Sequence, residues 1–255
     1  MPDERLASRI AEDLHSVGVT PGSLIMVHSS LKSLGPHGVT PEDVVLGLIE
    51  AIGPSGTLLM PALSFEQEPH HVHSTIDTPS NVGVIPEYFR LRPGTVRSVH
   101  PTHSVCGVGP AVAGLFARHG LDSTPCGPGS PFRAILEREA SIVMLGCGLD
   151  PNTTMHAIEE FVAPPYLYGD ECDYTITTAA GDRYTKRYRC HGFVGWAQRY
   201  DRITQYDTGG MIASGTVLDA RVHVVDTRRL AAAALAALRD DPLAFVEETG
   251  PEFVD

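Results

Sequence analysis

Three short apolar runs constrain the fold of this chain more than any other feature of its sequence. They occupy residues 23–28 (SLIMVH), 57–60 (TLLM) and 141–145 (SIVML). Compact runs of this kind are typical of strands that are buried on both faces of a parallel sheet. Helical periodicity or composition marks residues 4–17, 40–52 and 228–239, so the chain alternates between strands and helices. This alternation predicts the α/β class, with a mostly parallel or mixed central sheet flanked by helices.

The later part of the sequence has a different pattern. Residues 172–178 (CDYTITT) and 183–189 (RYTKRYR) alternate on either side of a turn at residues 179–182, which predicts a β-hairpin. Short segments at 211–216 and 220–226 continue this part, which we expect to be antiparallel and rich in hairpins. The chain has 255 residues and no linker, repeat or low-complexity tract. We therefore predict a single domain over residues 1–255.

Charge and cysteine content exclude several classes of protein. The chain has 31 acidic and 19 basic residues, for a net charge of −12, whereas nucleic-acid binding requires clustered basic residues. Its five cysteines are widely spaced and form no CxxC pair, which argues against a disulfide framework and a thiolate zinc site. We find no signal-peptide pattern and no apolar run approaching the ~18 residues that span a bilayer. We therefore expect a cytoplasmic protein without nucleic-acid or membrane partners.

The stretch DPNTTMHAIEEF, residues 150–161, combines a helix start with a titratable pair. Asp150 or Asn152 can cap the helix. His156 precedes Glu159 by three residues and Glu160 by four, so both acids can lie beside the imidazole. A carboxylate that fixes the tautomer makes the other ring nitrogen a better base. Spacing alone favours an ordinary surface helix, on which the histidine has acids three and four residues away.

Two further segments concentrate histidines. HPTHSVCGVG, residues 100–109, can line a pocket or form a turn. HHVH, residues 70–73, lies in a long segment without periodicity, residues 61–81. Long irregular loops are often functional, and three close histidines can hold a metal. Without a matching carboxylate at helical spacing, however, we expect the three histidines to be exposed.

Four sequence blocks together resemble the aminoglycoside 3-N-acetyltransferase family of antibiotic acetyltransferases. They are VHSSLKSLG (27–35), GPSGTLLMP (53–61), HPTHSVxGxG (100–109) and LGxGxxxNTTxHxxE (145–159). Their order matches that of the family, and the resemblance covers about residues 1–240. The family is distinct from the GNAT acetyltransferases. The resemblance implies an antibiotic-resistance enzyme that transfers acetyl from acetyl-CoA directly to the 3-amino group of a 2-deoxystreptamine ring, with no metal.

The resemblance also implies roles for individual residues. His156 is expected to be the general base and Glu159 to orient it. The cofactor is expected to contact His28, Ser29, Ser30, Leu31, Gly35, Thr102, His103, Ser104 and Val105. Backbone N–H groups near Ser29–Leu31 are expected to stabilise the tetrahedral oxyanion.

The acceptor is expected to be a cationic amine, and the protein a monomer or homodimer. We assign substrate binding to Glu66, Asp77, Asn152, Thr153 and His191. Some family members have acidic residues in the segment after the hairpin, whereas this chain has YRCHGF at residues 188–193 with a basic Arg189. That departure leaves the acceptor open.

Three alternatives remain at this point. The first is an N-acetyltransferase of the same fold that acts on a non-aminoglycoside amine. The second is a metal-dependent hydrolase that uses His70, His71, His73, His100 and His103. The third is a protein that binds CoA or a drug without turnover.

Overall fold

Strands and helices alternate along the first two thirds of the chain and give way to strand pairs afterwards. The computed structural model describes residues 3–249; residues 1–2 and 250–255 of the predicted domain lie outside the described part. The helices are α1 (Glu4–Ser16), α2 (Pro41–Ile52), α3 (Val84–Leu91), α4 (Val112–Phe116), α5 (Pro131–Ala134), α6 (Thr154–Val162) and α7 (Thr227–Asp240). The strands are β1 (Leu24–Ser29), β2 (Thr57–Pro61), β3 (Val72–Ser74), β4 (Val96–Arg97), β5 (Val105–Val108), β6 (Ser141–Leu145), β7 (Tyr168–Thr177), β8 (Arg183–His191), β9 (Trp196–Gln198), β10 (Ile212–Val217), β11 (Ala220–Asp226) and β12 (Val246–Glu248).

The three apolar runs form the centre of a seven-stranded sheet. The strand order is β10-β11-β6-β1-β2-β5-β4. β1 pairs in parallel with β2 and with β6, while the outer strands pair antiparallel. The sheet is therefore mixed, with a parallel core, which confirms the predicted fold class. His28 lies opposite Met144 and Ser29 opposite Leu145, so the carboxyl ends of β1 and β6 lie side by side.

Helices cover both faces of this sheet because successive strand residues point to opposite sides. Met26 packs with the apolar side chains of α4, α5, α6 and α7. Its neighbours Ile25 and Val27 pack with those of α1, α2 and α3 on the other face. The result is a three-layer arrangement with one hydrophobic core on each side of the sheet.

The start of α2 shows how closely local sequence fixes a helix end. The Thr40 hydroxyl accepts a hydrogen bond from the Asp43 backbone N–H (3.2 Å), and the Asp43 carboxylate accepts one from the Thr40 N–H (2.8 Å). This reciprocal pair satisfies two N–H groups that the first turn leaves without a partner. Pro41 is the first residue of the helix, where its missing N–H removes no hydrogen bond.

A second sheet contains the predicted hairpin. β7 and β8 pair antiparallel, and β3 joins them through a parallel pairing with β7. β3 lies inside residues 61–81, where the sequence predicted only a loop. Its three residues are too few to show a period, and the strand exists because β7 supplies its hydrogen-bond partners. The helices α4 and α5 are short, with five and four residues.

Among residues 3–249, no helix combines the length and the apolar character that crossing a bilayer requires.

Candidate active site

A histidine and a glutamate lie side by side at the start of α6. His156 Nδ1 is 3.0 Å from Glu159 Oε2, and both side chains are buried, with exposures of 9% and 0%. The helix follows β6, and Asn152 accepts a hydrogen bond from the Thr154 N–H (3.2 Å) just before it. Asp150, the other predicted cap, instead accepts from the Asp201 N–H (3.0 Å). The predicted pairing of His156 with Glu159 is present, and it is buried rather than on the surface.

Two tyrosine hydroxyls complete the surroundings of this glutamate. Tyr166 donates to Glu159 Oε1 (2.8 Å), and Tyr200 donates to Glu159 Oε2 (2.9 Å). Burial, followed by the adjacent Glu159 carboxylate, raises the pKa of both phenols far above the usual value, so both remain hydrogen-bond donors. Reasoning from the sequence missed both tyrosines, because no spacing pattern links positions so far from His156.

Glu160 pairs with a different histidine, His191. Its Oε1 lies 2.9 Å from His191 Nε2 and accepts the Cys126 N–H (2.8 Å), while its Oε2 accepts the Thr124 hydroxyl (2.6 Å). Burial raises the pKa of Glu160, although the bonds from Thr124 and Cys126 oppose that shift. The expectation that both acids flank His156 is therefore wrong for Glu160, because it lies beside the end of β8.

His103, His156 and His191 form a cluster of imidazoles. Their ring centroids are 5.0–5.9 Å apart, and one nitrogen of each ring lies within 4.8 Å of the others. Burial, and then the neighbouring imidazoles, lowers the pKa of His103 and of His191 well below the usual value. Burial and the nearby His156 lower the pKa of His28 to about 3. His103, His191 and His28 are therefore uncharged at neutral pH.

A cavity of about 200 Å³ lies at the carboxyl end of β1. It is lined by Val27, His28, Ser29, Pro61, Val82, Pro86, Cys147, Pro151 and Thr153. His28 Nε2 and Ser29 Oγ are buried without a hydrogen-bond partner among the described residues. Ligands of open α/β sheets bind at the carboxyl ends of strands, and unpartnered polar atoms in such a cavity mark places for ligand contacts.

Sequence and fold comparisons identify the family of this chain. The family model described as aminoglycoside 3-N-acetyltransferase matches residues 26–239. The chain belongs to the aminoglycoside 3-N-acetyltransferase family. This confirms the resemblance seen in the sequence and the prediction of an acyltransferase.

Individual relatives agree with this assignment. Aminoglycoside N(3)-acetyltransferase IV from Salmonella is 32% identical over 242 residues, covering 91% of this chain and 87% of the relative. A histidine-to-alanine variant of aminoglycoside acetyltransferase AAC(3)-IVa in complex with a gentamicin superposes with a TM-score of 0.80 at 28% identity, covering 94% and 90% of the two chains. AAC-IIIb in a binary complex with CoASH gives a TM-score of 0.78 at 25% identity, covering 92% and 96%.

Within this family fold, only part of the predicted cofactor set lines the cavity. His28 and Ser29 line it, and Thr102 and His103 lie at the imidazole cluster, where the Thr102 hydroxyl is 2.9 Å from His103 Nδ1. Ser104 and Val105 are fully buried. The Ser104 hydroxyl accepts from Arg97 Nε (2.7 Å) and donates to the Ala62 carbonyl (2.8 Å). Val105 packs in the core on the α6 side of the sheet.

The loop after β1 contributes its backbone to the fold itself. The Ser30 N–H donates to the Leu145 carbonyl (2.9 Å), which extends the pairing of β1 with β6. The expectation that this N–H stabilises an oxyanion is therefore wrong. Leu31 packs partly buried against the core on the α1 side. Gly35 has a φ of +90°, and a Cβ there would collide with Asp219.

The predicted substrate residues fall into two groups. Thr153 lines the cavity, Asn152 is buried beside it at the start of α6, and His191 joins the imidazole cluster. Glu66 and Asp77 are exposed on the loop between β2 and α3, where they accept hydrogen bonds from Asn81 (3.0 Å) and Ser74 (2.7 Å). The structure therefore brings the first group together and leaves the two acids on the surface.

The five histidines of the hydrolase alternative are not brought together. His70 and His71 are exposed, whereas His73 is fully buried in β3 with neither ring nitrogen partnered among residues 3–249. The expectation that all three are exposed is wrong for His73, because the pairing of β3 with β7 turns this side chain inward. Burial, and then Arg97 and Arg90, lowers the pKa of His73 to about 3.

Proposed function

We propose that this chain acetylates the 3-amino group of the 2-deoxystreptamine ring of an aminoglycoside, with acetyl-CoA as donor. The observation that carries the proposal is the buried His156–Glu159 pair, whose helix begins directly after Thr153 in the wall of the cavity. Relatives whose structures contain CoASH or a gentamicin support the two substrates. His156 is the general base, and the transfer is direct.

The hydrogen bonds around His156 favour Nε2 as the nitrogen that takes the proton. Nδ1 lies between Glu159 Oε2 (3.0 Å) and the Tyr200 hydroxyl oxygen (2.9 Å). With the Nδ1 proton directed at the carboxylate, Nε2 carries the lone pair. The substrate amine transfers its proton to Nε2 as its nitrogen attacks the thioester carbonyl. The carboxylate stabilises the imidazolium, and a base placed in this way accelerates a reaction by roughly 10²–10⁴-fold. The C–S bond of the tetrahedral intermediate then breaks, and the departing CoA thiolate takes the proton from the imidazolium.

The cavity supplies a place for the thioester. Ser29 lies at the end of β1, and its unpartnered hydroxyl is our proposed donor to the tetrahedral oxyanion, in place of the Ser30 N–H. His28 and Thr153 line the same space and contact the acyl-pantetheine end of the cofactor. Asn152 and His191 lie beside the acceptor amine. Glu66 and Asp77 attract the polycationic acceptor from the surface.

The cysteines favour direct transfer over an acyl-enzyme. Cys147 is the cysteine that lines the cavity, and burial raises its pKa to about 11. Burial also raises the pKa of Cys106 to about 12. A protonated thiol is a poor nucleophile, so the amine attacks the thioester without a covalent protein intermediate.

The test is acetyl transfer by the purified chain to gentamicin and to a panel of other aminoglycosides and simple amines. We expect the mass of the acceptor to increase by one acetyl group. We also expect nuclear magnetic resonance to assign the new amide to the 3-amino group. His156→Ala should lower kcat by roughly 10²–10⁴-fold, whereas His37→Ala, which removes an exposed histidine, should not change it. Full activity of His156→Ala would exclude the general base. Turnover of simple amines alone would favour the non-aminoglycoside acceptor instead.

A further inference from the structure

Three imidazoles from separate parts of the chain converge on one point. His103 precedes β5, His156 lies in α6, and His191 ends β8. One nitrogen of each ring lies within 4.8 Å of the other two. All three side chains are largely or fully screened from solvent.

One nitrogen of each ring is held by an oxygen atom. Glu159 Oε2 lies 3.0 Å from His156 Nδ1, Glu160 Oε1 lies 2.9 Å from His191 Nε2, and Thr102 Oγ1 lies 2.9 Å from His103 Nδ1. This leaves Nε2 of His156, Nδ1 of His191 and Nε2 of His103 for another partner. His191 Nδ1 is buried and has no partner among residues 3–249. Histidines that bind metals are held in this manner, with the outer nitrogen bonded to a carboxylate or another oxygen.

We infer that His103, His156 and His191 bind one divalent transition-metal ion of the zinc type. Three imidazoles favour such an ion over magnesium or calcium, which prefer oxygen ligands. Zinc–nitrogen bonds of about 2.0–2.1 Å place tetrahedral ligand atoms about 3.4 Å apart, so ring rotations that move the nitrogens by about 1 Å complete the site. This inference replaces the expectation from the sequence that no metal binds.

The ion and acetyl transfer exclude each other. Nε2 of His156 carries the lone pair that removes the proton from the substrate amine, and the same lone pair binds the ion. A metal-loaded chain therefore lacks its base. This consequence rests on the proposed function, whereas metal binding itself does not.

Metal binding is tested on the full chain after treatment with a chelator. We expect equilibrium dialysis to show one equivalent of Zn²⁺ bound per chain. Titration with Co²⁺ should produce the visible absorption bands of tetrahedral cobalt. Loss of the hydrogen-bonding partner of a metal ligand typically lowers metal affinity by roughly 10–100-fold. His191→Gln and His103→Gln each remove a ligand itself, so each should weaken zinc binding by more than this. The matched control is His70→Gln with His71→Gln, which removes an exposed adjacent histidine pair and should leave binding unchanged.

Two results would overturn the site. One is the lack of stoichiometric zinc on the wild-type chain, which needs no variant to be folded. The other is binding that disappears in the His70 and His71 double variant but persists in His191→Gln, with folding of both checked by circular dichroism.

Mutual exclusion is tested by acetyl transfer at increasing Zn²⁺, with the acetylated product detected directly because the thiol of CoA also binds zinc. We expect saturating zinc to abolish transfer and a chelator to restore it, while any residual activity of His191→Gln is insensitive to zinc. Undiminished transfer by a chain shown to hold one zinc would overturn mutual exclusion. A chain that binds zinc but acetylates nothing would support the metal site and contradict the proposed function, so the two failures are distinguishable.

Discussion

The Tyr200 hydroxyl lies 2.9 Å from His156 Nδ1, across 44 positions of the chain. The same hydroxyl donates to Glu159 Oε2 (2.9 Å), and Tyr200 is 1% exposed. His156, Glu159 and Tyr200 therefore form a closed triangle of polar atoms in a buried environment. In such an environment each hydrogen bond is stronger than in water, and the loss of one leaves its partner unsatisfied.

Tyr200→Phe should lower kcat by about 10–100-fold, because a hydrogen bond to a charged group is worth roughly 1.5–3 kcal/mol. In the wild type this bond orients the Glu159 carboxylate towards His156. Its loss should therefore change KM for acetyl-CoA little. Steady-state kinetics measure both parameters. The matched control is Tyr206→Phe, which alters a tyrosine that is 37% exposed. A change in KM with unchanged kcat would contradict a role in positioning His156.

Glu159→Gln should lower kcat by roughly 10²–10⁴-fold, because the amide no longer stabilises an imidazolium. Glu160→Gln should retain more of kcat, since the Glu160 carboxylate bonds His191 and not His156. Comparing the pH dependence of kcat in the two variants separates their roles. Equal losses in both would mean that the two pairs act as one unit.

The free energy of unfolding should fall as the pH drops below about 6.5. His28, His73 and His119 have pKa values of about 3 in the folded chain, against 6.5 as the usual value, with burial as the main cause. Between these values the unfolded chain binds more protons, so stability is complete above about pH 6.5 and declines towards pH 3. Each group contributes up to about 1.4 kcal/mol per pH unit. Urea unfolding at several pH values measures the slope.

The variant His73→Leu tests whether the buried histidines cause the dependence of the free energy of unfolding on pH. Leucine has a similar size and leaves no buried nitrogen without a partner, so the variant should be at least as stable as the wild type at pH 8. Its slope between pH 6 and pH 5 should be smaller by up to about 1.4 kcal/mol per pH unit. An unchanged slope would show that His73 does not titrate on unfolding.

Gly35→Ala should destabilise the fold more than Gly38→Ala does. Both glycines have positive φ, of +90° and +70°, but of these two only Gly35 is placed so that a Cβ would collide with a neighbour, Asp219. The conformational cost alone is of order 1–3 kcal/mol, and Gly38→Ala isolates it. Adding Asp219→Ala should recover the collision part of the cost. If Gly35→Ala instead raises KM for acetyl-CoA without loss of stability, the predicted cofactor contact at Gly35 is supported.

Local sequence determined the parts of this protein that depend on near neighbours. The apolar runs become the buried strands β1, β2 and β6, Thr40 caps α2, and His156 meets Glu159, because a helix brings residues three apart onto one face.

Only the tertiary structure decided which distant groups complete the site. Tyr166 and Tyr200 donate hydrogen bonds to Glu159. Glu160 pairs with His191 and not with His156. The pairing of β3 with β7 places the His73 side chain in the interior. These contacts depend on how strands pair and layers pack, and that information is spread over positions far apart in the chain. The periodicity of a single segment specifies which face is buried, but it does not specify what that face will meet.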